Sequence, residues 1–170
     1  MIIRAEKPED YAQVYQIISQ AFEQDNESRL VEKLRQSNHY IPELSLVATK
    51  DSQVIGHILF SKIQIIGDTQ THESLALAPM AVHPQFQKQG IGGKLITRGL
   101  SEAKKLGYES VVVLGHAQYY PRFGFTPASQ WNIRCPFEVP DEAYMALELQ
   151  EDSLKDKSGI VKYADAFGEV

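Results

Sequence analysis

The chain has 170 residues, 43% of them hydrophobic and 23% charged, an ordinary balance for one domain with enough apolar material to bury a core. A net charge of −5, with no Lys/Arg-rich face or tail, argues against a nucleic-acid partner; no apolar run approaches the ~20 residues of a membrane span. The N-terminus lacks the charged-then-apolar build of a signal peptide and Cys135 is the single cysteine, so a cytoplasmic protein is expected, one domain over 1–170 with no internal disulfide and no multi-cysteine metal site.

In chain order, residues 2–5 read as a short strand. Pro8 suits the first turn of a helix on which Tyr11, Val14, Ile17, Ile18, Ala21 and Phe22 share one face. A second helix over about 27–37 would bury Leu30, Val31 and Leu34. Strands at about 44–50 and 53–65 joined at Asp51-Ser52, then a third at about 72–82 after Gly67-Asp68, predict an antiparallel meander.

The segment 91–106 places Ile91, Leu95, Ile96, Leu100, Ala103 and Leu106 on one face and Lys94, Arg98, Glu102 and Lys105 on the other, with Gly107 to stop it. The apolar run Ser110 to Leu114 suits a central parallel strand, paired with 75–82 through a right-handed crossover. A short helix or turn at 117–122 and strands near 131–135 and 143–149 follow. The tail 150–170 mixes Asp, Lys and Gly with isolated apolar residues and reads as a loosely packed extension.

The most informative stretch joins the third strand to the long helix: Val82-His83-Pro84-Gln85-Phe86-Gln87-Lys88-Gln89-Gly90-Ile91-Gly92-Gly93-Lys94. Glycines at a helix start, where unpaired N–H groups and the positive dipole end converge, make an anion site. The spacing excludes a P-loop, because Gly93-Lys94 is followed by Leu95. It also excludes the dinucleotide fingerprint, whose third Gly would again fall at Leu95.

What remains, Gln87-x-x-Gly90-x-Gly92 after Val82-His83-Pro84, resembles the Arg/Gln-x-x-Gly-x-Gly/Ala signature of the GNAT superfamily of N-acetyltransferases. A second segment, Tyr119-Tyr120-Pro121-Arg122-Phe123-Gly124-Phe125, is similar to the aromatic-Tyr-x-x-x-Gly-Phe run after that superfamily's fifth strand. The resemblance covers roughly 1–149. It implies an α/β fold of the α+β type: a mixed central sheet, helices on both faces, and a parallel strand pair, 75–82 and 110–114, that splays to admit acetyl-coenzyme A.

On that resemblance Met80, Ala81 and Val82 bind the cofactor through backbone groups, one N–H serving the thioester oxygen, and Gln87, Lys88, Gln89, Gly90, Ile91, Gly92, Gly93 and Lys94 frame the pyrophosphate. Lys94 also falls on the exposed helix face with Arg98. Tyr120 matches the acid that protonates the leaving thiolate. Glu73 is the first choice for the base, with Glu27 and His116 as alternatives. The Asn that many relatives carry after the fifth strand is replaced by Gly115-His116-Ala117-Gln118.

The acceptor implied is a small primary amine, which a net negative surface attracts. A non-catalytic acyl-coenzyme A sensor and a protein or peptide acetyltransferase are the alternatives, and a homodimer is open. His39, His57, His72 and His83 form no ligand cluster, so no metal is expected; His57, inside a strand, reads as a packed histidine.

Overall fold

The computed structural model describes residues Met1–Val170. In chain order the elements are β1 (Ile2–Ala5), α1 (Tyr11–Phe22), α2 (Asn26–Arg35), β2 (Tyr40–Lys50), β3 (Gln53–Ile66), β4 (Thr71–Val82), α3 (Ile91–Lys105), β5 (Ser110–Leu114), β6 (Thr126–Pro127), β7 (Ile133–Arg134), β8 (Tyr144–Glu148) and β9 (Gly159–Lys162). The sheet runs β1-β2-β3-β4-β5-β8-β6, with β9 on the end of β3 and β7 on β9. As expected, β2, β3 and β4 form an antiparallel meander and β4 pairs in parallel with β5.

Alternation along the strands sends side chains to two faces. One face packs under α3, where Ile91, Leu95, Ile96 and Ala103 meet Phe60, Leu75, Val111 and Met145. The opposite face carries two clusters. Val14, Ile17, Ile18, Leu30, Val31 and Leu34 of α1 and α2 lie over Val47, Leu59 and Ala81, while Ile63, Ile65, Ala76, Val112, Tyr144 and Val161 make the other.

The parallel pair is short. Leu75 stands opposite Val111 and Ala76 opposite Val112, and beyond them β4 and β5 share no register. The splay that the family resemblance implied is therefore present, and its cause is local. Between Leu77 and Met80 β4 spends three residues against the two that β3 spends between Phe60 and Ile58. This extra residue falls at Ala78-Pro79, where proline offers no N–H to a ladder, and a bulge of this kind bends its strand. At the closed end Ser74 and Ser110 share a buried hydroxyl–hydroxyl hydrogen bond of 2.7 Å.

The tail corrects the expectation of a loose extension. β9 pairs with β3 from Gln64 to Ile66, taking the edge beyond the last β2 partner, and with β7 on its other side. Leu154, Val161, Ala164 and Ala166 are buried, and Lys33 of α2 holds Glu169 at 3.1 Å. Isolated apolar residues sufficed because each meets a ready-made surface instead of building one.

Candidate active site

α3 begins at Ile91 with Gly90 as its N-cap in the left-handed conformation, φ 83°, a backbone that glycine adopts without steric cost. The first intrahelical bond runs from Lys94 N–H to Gly90 O. The N–H groups of Ile91, Gly92 and Gly93 thus have no helical acceptor and point out of the helix start, where an anion finds both donors and the dipole. Gln87 stitches the loop to the strand, its Nε2 donating to Val82 O at 3.0 Å. His83 caps the intervening turn by accepting from Gln85 N–H at 3.1 Å.

Beside the first turns of α3 lies an open groove of about 500 Å³ lined by Gly90, Gly93, Lys94, Thr97, Arg98, Ser101 and Phe123. Lys94 and Arg98 make this groove cationic. Arg98 is tethered at the same time to Glu102 at 3.1 Å and to Ile3 O at 3.3 Å, so Lys94 is the less constrained charge.

The opening between β4 and β5 ends at this loop. Met80 and the hydroxyl of Tyr119 both approach Gly92 from the strand side: a β-carbon built there would stand 3.3 Å from Met80 Cε and 3.2 Å from the Tyr119 hydroxyl. Tyr120 follows in a single turn of 3₁₀ helix, Tyr120–Phe123. Its ring is buried, edge-on to Tyr119 at 5.2 Å and to Phe125 at 5.7 Å between centroids. Burial, with Tyr119 beside it, pushes its phenol up to about 12, so the proton is held through the neutral range.

The family model described as the acetyltransferase (GNAT) family matches residues 11–125. The chain belongs to the GNAT acetyltransferase family. It is 34% identical over 168 residues to the uncharacterised N-acetyltransferase YhbS of Escherichia coli strain K12, covering 98% of both chains. To the uncharacterised N-acetyltransferase YjhQ of the same strain it is 37% identical over 134 residues, 78% of this chain and 74% of that one. Its fold superposes on a crystal structure of YhbS from Escherichia coli in complex with CoA with a TM-score of 0.91 at 33% identity, covering 98% of this chain and 91% of the other. A GNAT acetyltransferase from Brucella melitensis, solved in complex with acetyl-CoA, superposes with a TM-score of 0.79 at 33% identity over 98% and 97%.

Within this GNAT fold the expected site residues do not all converge. Met80, Ala81, Val82, the loop 87–90 and the start of α3 border one end of the opening, and Tyr120 stands just past the end of β5. Glu73 does not join them. It is exposed, opposite Gln64, and precedes the closed end marked by Ser74 and Leu75. At about 3.3 Å per residue, Glu73 lies ~7 Å before the first paired row at Leu75, whereas Leu114, after which the chain turns to Tyr120, lies ~7 Å past the last at Val112. Glu73 thus lies on the side of the paired rows away from the opening, a placement that sequence spacing alone does not reveal.

Glu27 begins α2 on the other face of the sheet, half-buried, with both carboxylate oxygens held by Gln24 Nε2 at 2.9 and 3.1 Å. His116 is exposed after β5, its carbonyl accepting from the Tyr119 and Tyr120 N–H groups. Sequence reasoning missed Gly115. The ring of Tyr120 occupies the space that a β-carbon there would need, and a glycine next to the strand end was the available signal.

A buried polar cluster lies away from this opening. Glu6 accepts from Arg35 Nε and Nη2, both at 2.9 Å, and from the Tyr40 hydroxyl at 2.6 Å, with His57 Nε2 at 3.5 Å. Burial alone would raise the Glu6 carboxyl; the bonds from His57, Arg35 and Tyr40 outweigh it and hold it well below the carboxylate range. His57, wholly buried, has its pKa lowered by desolvation and stays neutral, as expected for a packed histidine. No helix is long and apolar enough to cross a membrane, and no group of three His, Cys, Asp or Glu is placed to hold a metal ion.

Proposed function

We propose that this GNAT-family protein transfers the acetyl group of acetyl-coenzyme A to the primary amine of a small molecule, by direct attack while both are bound. The observation that carries the reading is the strand pair that opens beyond Ala76 and Val112 and ends at the free N–H groups of α3. An unpaired edge of β4 offers backbone donors and acceptors to an extended pantetheine arm, as an added strand would. The helix start and Lys94 take the pyrophosphate.

The amine nitrogen attacks the thioester carbon, and the developing oxyanion is held by a backbone N–H of Met80, Ala81 or Val82. The C–S bond then breaks and the sulfur takes the Tyr120 proton. A free thiol has a pKa of about 8.5 and burial raises the Tyr120 phenol to about 12, so the phenol acts by hydrogen-bonding the sulfur while charge builds on it, and the proton it passes over is restored from solvent as the thiol settles. The proton lost by the amine goes to Glu27 or His116, since Glu73 stands outside the opening. The products are an acetamide and coenzyme A.

Free-thiol release from acetyl-coenzyme A across polyamines, amino acids, aminoglycosides, arylalkylamines and peptides tests the reading. Transfer to a small amine is the expected result. Tight binding without transfer to any acceptor would mark a sensor module, and transfer to peptides alone would mark a protein acetyltransferase.

A further inference from the structure

On the face opposite α3, two apolar clusters meet at a seam. Leu59, Ser61 and Ile63 of β3 point to that face by alternation; Leu59 belongs to the cluster of α1 and α2, Ile63 to the cluster under β5, β8 and β9. Ser61 between them is fully buried, and its hydroxyl has no hydrogen-bond partner. It stands opposite Ala76, which stands opposite Val112. The seam therefore lies at the root of the opening.

Three aromatic rings bridge this seam. Tyr163, one residue past the Lys162–Gln64 pair, reaches across to Tyr144, hydroxyl to hydroxyl at 2.9 Å, and Tyr144 is the partner of Leu114 at the end of β5. Phe137 stacks on Tyr163 at 6.3 Å with the ring planes 27° apart, and Phe167 tilts against it at 5.0 Å. Phe167 packs in turn on the α1–α2 cluster. Phe137 is 55% exposed and Leu114, on the same face, 43%.

Resting on the acetyltransferase reading, we propose that Phe137, Tyr163 and Phe167 form the acceptor wall and select primary amines carried on a flat apolar body, an arylalkylamine being the simplest. The faces of the three rings are apolar, and the one hydroxyl among them is already hydrogen-bonded to Tyr144. A polyhydroxylated amine gains nothing along it, whereas a planar apolar group gains contact area and ring stacking. Exposed Glu138 and Asp165 neighbour the rings in the chain and attract the incoming ammonium; the flat body then lies on the rings while the amine, its proton lost, faces the thioester. Two of the three rings come from the tail after residue 150, so the tail supplies specificity as well as stability.

The test compares phenethylamine, spermidine and kanamycin as acceptors for the full-length protein and for Phe137→Ala and Phe137→Tyr, with acetyl-coenzyme A affinity measured by calorimetry alongside. Phenethylamine should be preferred in kcat/KM. Phe137→Ala should raise its KM about tenfold, with the loss falling on KM instead of kcat and with acetyl-coenzyme A affinity unchanged; Phe137→Tyr should restore it. Preference for spermidine or kanamycin, or a KM for phenethylamine indifferent to Phe137→Ala, overturns the wall while leaving the acetyltransferase. Failure to bind acetyl-coenzyme A overturns the acetyltransferase reading itself.

Discussion

Ser74 and Ser110 close the parallel strand pair: their hydroxyls meet at 2.7 Å in the interior, just before the Leu75–Val111 row. Everything beyond Ala76 is open, and everything before Ser74 lies outside. Ser74→Ala leaves the Ser110 hydroxyl buried and unsatisfied, which costs about 1–3 kcal/mol and is read as a lower urea midpoint. Glu73→Gln, one residue away but on the outside, should leave both stability and turnover near wild type; a hundredfold fall in kcat would return Glu73 to the chemistry.

Tyr120→Phe removes the proton and keeps the ring that fits against Gly115. Turnover should fall by roughly 10²–10⁴-fold with coenzyme A affinity retained, and the loss should shrink with a donor whose thiolate leaves more easily. Tyr119→Phe should cost far less. Gly115→Ala forces the Tyr120 ring away; overpacking of this kind costs about 1–3 kcal/mol, so this variant should lose stability and turnover together, separating ring placement from proton donation.

The phosphate loop makes two distinct demands on its glycines. At Gly90 the demand is conformational: φ is 83° and nothing lies within 4 Å of a built β-carbon, so Gly90→Val strains the backbone in open space. At Gly92 the demand is room beside Met80 and Tyr119. Gly92→Val should weaken coenzyme A binding in calorimetry while circular dichroism stays native. Unchanged affinity in the folded variant would remove the pyrophosphate from this helix start.

The Glu6 cluster sets the acid limit of stability. His57 has a folded pKa below its ordinary 6.5, so the unfolded chain binds the extra proton and stability declines as pH falls below about 6.5. Glu6 is depressed from 4.5, so its contribution is present above that value and is lost as pH falls through the folded pKa. Urea midpoints should therefore drop from pH 7 to 5 and again below about 4.5. Glu6→Gln should abolish the second limb and destabilise by about 3–5 kcal/mol at pH 7, because Arg35 keeps its charge in a mostly buried position without a partner.

Removing 151–170 should unfold the protein or leave it molten, because Val161 and Leu154 fill one cluster and Ala164 and Ala166 another. Leu154→Ala alone should cost about 2–5 kcal/mol. A truncated chain with native near-ultraviolet dichroism would show the tail to be dispensable.

The sequence by itself determined what depends on near neighbours. The meander, the amphipathic α3, the glycine cap at Gly90 and the spacing from Gln87 to Tyr120 are patterns of periodicity and turn chemistry, each decided by residues within a turn or two. Tertiary structure decided what depends on which distant segments meet. Whether Pro79 marks an edge kink or an opening depends on the register of β4 against both β3 and β5. Glu73 could not be placed outside that opening until the last paired row was known. The tail carries too few apolar residues to announce itself, and it is ordered because β3 leaves an edge free at Gln64–Ile66 and Tyr144 holds out a hydroxyl to Tyr163. Local propensity fixes elements within a few residues; burial and pairing across more than a hundred residues fix where they converge.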